Sequence, residues 1–182
     1  MGKRMGTVLL AAFLSGIAPM NAQQQPQPQV GDPAPDFNLP YATKDSIFFE
    51  GLTLSKEVGS KYIILAFYPA DWSGGCTKEV CAMRDDFSTL QKLDATVLAI
   101  SGDYVFSHRE WAKYLNLPFM LLSDHDHAVA KLYDSYDGMR GYNRRTVFVV
   151  DKQGKIAYAD MKYDVSNGED FKQLQERIAE LH

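Results

Sequence analysis

Apolar positions along this chain fall into two kinds of run. One kind is continuous. "KYIILAFYP", bounded by Lys61 and Pro69, is rich in branched and aromatic residues and reads as a strand buried on both faces. "TVLAIS" is a second such run, and "FMLLS" is a shorter third. The other kind is periodic. From Thr77 onward, Val80, Met83, Phe87, Leu90 and Leu93 recur at helical spacing, with Lys78, Glu79, Arg84 and Asp85 between them. "SHREWAKYLN" and "HDHAVAKLYDSY" also read as helical, the latter capped by Asp124, and "EDFKQLQERIAELH" closes the chain as an amphipathic helix. "RTVFVVDKQGKIAYAD" reads as a hairpin with Gly154 supplying the turn, and "VGDPAPDFNLP" as a turn-rich opening segment. The predicted order is strand, helix, strand, helix, strand, helix, hairpin, helix. That order is α/β, with antiparallel strands at one side of the sheet. In open α/β sheets the chemistry sits beyond the carboxyl ends of the strands, and Cys76 falls there.

The 182 residues suffice for one well-cored domain. Residues 1–22 place Lys3 and Arg4 ahead of an apolar run from about Thr7 to Ala18, followed by small and polar residues, the order of a signal peptide. The run is shorter than the roughly 20 apolar residues of a membrane-spanning helix, so cleavage near Ala22 fits better than an uncleaved anchor. The Gln/Pro-rich residues 23–30 bury no core and read as a linker, leaving 31–182 as the folded domain. The expected destination is therefore outside the cytoplasm, periplasmic or secreted. The formal net charge is -4, and loss of Lys3 and Arg4 leaves 17 basic against 23 acidic residues, which argues against a nucleic-acid surface. Compartments outside the cytoplasm also let disulfides persist, so the two cysteines of the chain, Cys76 and Cys81, are more readily a pair than two unrelated thiols.

Both cysteines lie in "FYPADWSGGCTKEVCAMRDDF". Cys76 follows a strand, a loop containing Pro69, and Gly74-Gly75, and stands at the start of a helix. Unpaired N–H groups and the helix dipole at that end favour an anion, which is the form a nucleophilic sulfur needs. The two glycines present no side chain to obstruct approach, Pro69 fixes the loop, and the Ser73 hydroxyl can donate or accept near the sulfur.

The spacing Pro69, Ser73, Cys76 resembles the active-site pattern of the peroxiredoxins, thiol peroxidases on a thioredoxin fold, in which a proline is followed after three residues by Thr or Ser and after two more by Cys. The resemblance extends over "GDPAPDFNLP", "TVLAISGD", "FSHREWAKYLNLPFMLLSD" and "RRTVFVVDKQGKI", from about Val30 to the C-terminus. It looks closest to the bacterioferritin-comigratory and AhpE-like branches. It implies a thioredoxin-like fold with a central mixed sheet flanked by helices. It also implies that Cys76 attacks a peroxide and becomes a sulfenic acid, that Ser73 hydrogen-bonds the peroxide, and that Pro69 shields the sulfur. Arg145, three residues before Phe148, would hold the sulfur and polarise the peroxide. Arg144 is the competing neighbour, and because alternate strand residues face opposite ways only one of the two should reach the pocket. Glu79 would support the arginine or, equally, stabilise the helix N-terminus.

Cys81 lies five residues on, which along an intact helix is a rise of about 7.5 Å and a rotation of about 500°. A disulfide needs Cα atoms within about 7 Å and Cβ vectors turned together, so pairing requires local unwinding. The resemblance implies that Cys81 resolves the sulfenic acid in this way; the alternative is a small buried apolar residue. The partners implied are a peroxide and a thioredoxin-like or other thiol reductant, with no cofactor, and the chain a monomer or homodimer. Asp124 to His127 ("DHDH") reads as a helix cap rather than a metal site, Trp72 and Trp111 as packing residues with Trp72 available to wall the pocket, and Tyr133, Tyr136 and Tyr142 as core and loop residues. Two other functions fit less well. A thioredoxin-type thiol–disulfide oxidoreductase uses two intervening residues between its cysteines where this chain has four. A Sco-type copper protein uses three, and leaves Pro69 and Ser73 unexplained.

Overall fold

The computed structural model describes Gly2 and residues 27–166 and 168–181. The leader expected over 1–22 therefore lies, but for Gly2, outside the described residues.

Seven strands form one mixed sheet. The run at 62–67 is the middle strand, β3 (Tyr62–Phe67), buried at every position as its unbroken apolar pattern predicts. The two earlier strands, β1 (Asn38–Ala42) and β2 (Ile47–Thr53), form a hairpin that leads into the single turn α1 (Leu54–Glu57). After β3 come α2 (Gly74–Asp85), α3 (Phe87–Lys92), β4 (Ala95–Ser101), α4 (Val105–Leu115), β5 (Met120–Ser123) and α5 (Ala128–Leu132). The small hairpin β6 (Tyr136–Asp137) and β7 (Tyr142–Asn143) precedes β8 (Thr146–Val150), β9 (Ile156–Asp160) and α6 (Glu169–Glu180). The sheet order is β2-β1-β5-β4-β3-β8-β9, with β3, β4 and β5 mutually parallel and the hairpins antiparallel at both sides.

Because side chains alternate across a strand, β3 divides its residues between two cores. Ile64 and Ala66 face α2, α3, α4 and α6, where Val80, Met83, Leu90, Trp111, Leu174 and Ile178 cover them. Ile63, Leu65 and Phe67 face the opposite layer, where Leu54, Val129 and Tyr133 close the sheet. The helical layers on both faces make this the expected thioredoxin-like arrangement.

Three elements differ from the sequence expectation. The pattern from Thr77 to Leu93 is two helices rather than one, because the chain turns at Asp86, outside helical geometry at φ -100 and ψ 15, before α3 resumes the same apolar stripe. The helix expected from His125 onward is only five residues long: His127 sits in the left-handed region at φ 55 and delays its start. Asp124 still caps it, its carboxylate accepting from the Val129 and Ala130 N–H groups at 3.1 and 2.7 Å. The hairpin at β1–β2 lay within and beyond the segment read as a turn-rich opening. The 146–160 hairpin forms as expected, with Gly154 at φ 79 and its N–H donating to the Asp151 carbonyl at 3.0 Å.

Candidate active site

Parallel strands end at one edge, so the loops after β3 and β4 meet there. The antiparallel β8 begins at that edge, Thr146 pairing with Phe67, and this brings Arg145 to the end of β3. Residues 78 positions apart in sequence, Phe67 and Arg145, are thus neighbours through strand pairing alone.

Ser73 is the N-cap of α2, in extended geometry, and its hydroxyl oxygen accepts from the Cys76 N–H at 3.4 Å. The Thr77 hydroxyl in turn donates to the Ser73 carbonyl at 2.8 Å. Cys76 is therefore the third residue of the helix, one turn further in than the sequence pattern placed it, and its side chain is fully buried. Accepting from the Cys76 N–H leaves Ser73 its own hydroxyl proton to donate to a bound oxygen.

Arg145 and Arg144 diverge. Arg145 Nη2 donates to Cys76 Sγ at 3.3 Å, and Nη1 donates to Glu79 Oε2 at 2.5 Å. Arg144 turns the other way and donates to the Asp134 carboxylate, at 2.8 Å, and to the Asp134 carbonyl. Gly75 makes the Arg145 contact possible: a Cβ there would stand 2.6 Å from Nη2. Gly74 has open space around it. Pro69 lies half-buried in the loop between β3 and α2.

Glu79 lies one turn along the same face from Cys76 and is almost fully buried. Burial pushes its carboxyl up to about 7, even against the Arg145 charge beside it. Burial also works against the Arg145 charge, but Glu79 and Cys76 outweigh it and hold the guanidinium above its ordinary range. The second oxygen, Oε1, has no hydrogen-bond partner among the described residues. A fixed cation on a buried sulfur, at a helix N-terminus with a hydroxyl one turn away, is an arrangement that stabilises negative charge on sulfur and on an oxygen delivered to it.

Cys81 is half-buried further along the intact α2 and packs against the same core; both thiols are free. Trp72 does not pack inside the protein. It is 54% exposed, at φ 62, with its ring beside those of Trp111 and Tyr114, whereas Trp111 is buried. Tyr133 is buried and donates to the Pro35 carbonyl at 2.7 Å, and Tyr136 and Tyr142 lie on the small hairpin. Sequence reasoning did not single out Asp71, in the loop between β3 and α2, and His108, on α4, whose buried side chains meet at 2.9 Å. The available signal was His108 itself, a polar residue on the apolar stripe of α4 that carries Val105, Trp111, Ala112 and Leu115.

Comparison with known proteins identifies the family. Residues 30–159 match the family model described as the AhpC/TSA family. A Coxiella burnetii protein named putative peroxiredoxin bcp is 37% identical over 135 residues, covering 71% of this chain and 85% of the relative. The Bacillus subtilis peroxiredoxin Bcp is 34% identical over 134 residues, covering 70% and 82%. The crystal structure of the peroxidoxin BcpB from Mycobacterium tuberculosis superposes with a TM-score of 0.75 at 25% identity, covering 86% of this chain and 99% of that one. With a mixed thioredoxin-like sheet, a cysteine in the first turn of the helix after its middle strand, and relatives of this similarity over most of their length, the chain belongs to the AhpC/TSA family of peroxiredoxins.

Proposed function

We propose that the protein is a thiol-dependent peroxidase whose nucleophile is Cys76. The observation that carries this reading is the Arg145 guanidinium at 3.3 Å from a buried sulfur in the first turn of α2. The Cys76 thiolate attacks one oxygen of a hydroperoxide; the S–O bond forms as the O–O bond breaks, and the departing alkoxide or hydroxide takes up a proton and leaves as alcohol or water. Ser73 and Arg145 act on the two oxygens, the hydroxyl by donating a hydrogen bond and the guanidinium by opposing the growing negative charge. Pro69 keeps water from the sulfur. Glu79 holds the guanidinium in place through Nη1.

Cys81 then attacks the sulfenic sulfur and releases water, leaving a Cys76–Cys81 disulfide that a thioredoxin-like or other thiol reductant reopens. In the reduced protein α2 is continuous through both cysteines, so this step requires its first turns to unwind. The half-buried packing of Cys81 favours one second reading, in which Cys81 only fills the core and an external thiol meets the sulfenic acid directly. The basic, then apolar, leader supports export to the periplasm or beyond, where such a disulfide persists. Mass measurement after one equivalent of peroxide tests the scheme. The disulfide reading expects loss of two hydrogens in the wild type and a sulfenic acid or its overoxidation products in Cys81→Ser. A wild-type sulfenic acid with Cys81 still alkylatable leaves the single-cysteine reading.

A further inference from the structure

The loop between β3 and α2 and the facing turn of α4 carry a second set of polar side chains that the peroxide chemistry does not use. The side chains of Asp71 and His108 are both fully buried. Asp71 receives three donors: the Tyr68 hydroxyl on Oδ1 at 2.8 Å, and the Ser107 hydroxyl and His108 Nδ1 on Oδ2 at 2.7 and 2.9 Å. Burial, with the Asp71 charge beside it, pushes the Tyr68 phenol well above its ordinary range, so it keeps the proton it donates. The other ring nitrogen, His108 Nε2, faces the Leu122 carbonyl at 3.1 Å. Nδ1 also has the Tyr68 hydroxyl at 3.5 Å, but the proton of that hydroxyl goes to Asp71 Oδ1, so both nitrogens of His108 face oxygens that act as acceptors, and a neutral imidazole has only one N–H. Only a doubly protonated ring donates to both.

A buried charged pair is held only where its geometry is good and its remaining hydrogen bonds are made, and here they are. What it holds is the loop from Tyr68 to Ser73. The Asp71 N–H donates to Asp103 Oδ2 at 2.9 Å, which also takes the Ser101 hydroxyl at 2.8 Å. The next residue, Trp72, is a bulky side chain in the left-handed region, and its indole N–H donates to the Ser107 hydroxyl at 3.1 Å. Such backbone persists only where the surroundings over-determine it. Ser73, the cap of the Cys76 helix, follows directly.

We propose that His108, as an imidazolium bridging Asp71 and Leu122, is a positioning residue for the active loop. It ties the loop after β3 to α4 and β5, and so sets where Ser73, and through it Cys76, stand. The proposal rests on the peroxide reading of Cys76 for its kinetic consequence but not for its structural one. Side-chain ¹⁵N NMR of the reduced full chain should show His108 with protons on both ring nitrogens; one unprotonated nitrogen overturns the proposal, and this arm requires no variant. Asp71→Asn and His108→Gln should each slow the reaction of Cys76 with hydrogen peroxide by about 10²-fold, the scale of a small misplacement of the reacting groups. They should also raise amide exchange across residues 71–77 above that of the sheet. The double variant should lose little more than either single one, because the pair acts as a unit. Folded variants that react at the wild-type rate overturn the proposal. If the variants do not fold, the NMR result decides. Wild-type protein inert to peroxide, with a doubly protonated His108, refutes the peroxidase reading while the structural role of His108 stands.

Discussion

Cys76 is fully buried with the Arg145 guanidinium 3.3 Å from its sulfur, whereas Cys81, five residues along the same helix, packs half-buried against apolar neighbours. Arg84, three residues beyond Cys81, is committed elsewhere, its guanidinium donating to the Asp85 carboxylate and to the Leu115 carbonyl at 2.8 Å each. The same side chain thus receives different surroundings from one helix: a cap, a free helix end and a cation drawn in by β8 at the first position, and packing at the second. In the proposed scheme, reactivity belongs to the position rather than to the residue type.

The largest effect that would break this comparison is at the nucleophile. Cys76→Ser should abolish peroxide consumption, while Cys81→Ser should keep the first stoichiometric reaction with peroxide; a stopped-flow assay without reductant separates them, and turnover by the Cys76 variant would defeat the assignment. Next comes the cation. Arg145→Ala should slow the peroxide reaction by about 10²–10³-fold, the usual cost of losing one oriented charge from a developing anion. Arg144→Ala, which loses only the Asp134 contacts, should leave the rate nearly unchanged. A smaller effect should follow from Gly75→Ala, whose new Cβ would stand 2.6 Å from Arg145 Nη2 and push the guanidinium off the sulfur. A rate loss of about tenfold is expected, with the helix itself made slightly more stable. Equal peroxide rates in Gly75→Ala and wild type would show that the guanidinium can act from elsewhere.

The last expected effect is on stability rather than rate. The Glu79 carboxyl titrates near 7 in the fold against an ordinary value of 4.5, so the folded state holds its proton more tightly than the unfolded chain does. Its contribution to stability is therefore fully present below about pH 4.5 and is lost as pH rises through 7, a loss of at most about 3 kcal/mol. Urea unfolding of reduced wild type and Glu79→Gln at pH 5 and pH 8 checks the sign: the wild type should lose stability relative to the variant at the higher pH. The opposite trend would mean that the Arg145 ion pair outweighs burial.

Much of this was legible in the chain. β3, β4, β5 and β8 announce themselves as apolar runs because strands buried on both faces need no alternation, and the turn at Gly154 marks the edge strand β9 that follows. β1 and β2 did not, since they lie at one side of the sheet with mixed, half-exposed residues and a Pro40 inside the first. The break at Asp86 was invisible because α3 continues the apolar stripe of α2.

Local order along the chain determined the cap, the helix start, the small residues before Cys76 and the strand that delivers them, since each depends on residues within one or two turns. Strand pairing decided the rest. Arg145 reaches Cys76 because β8 runs antiparallel beside β3, and Asp71 meets His108 because the loops after parallel β3 and β4 end at one edge. No spacing in sequence encodes those distances: contacts across 69 and 37 residues exist only once the sheet has formed, because the hydrophobic burial that orders its strands is non-directional and the register between them is set by the whole fold.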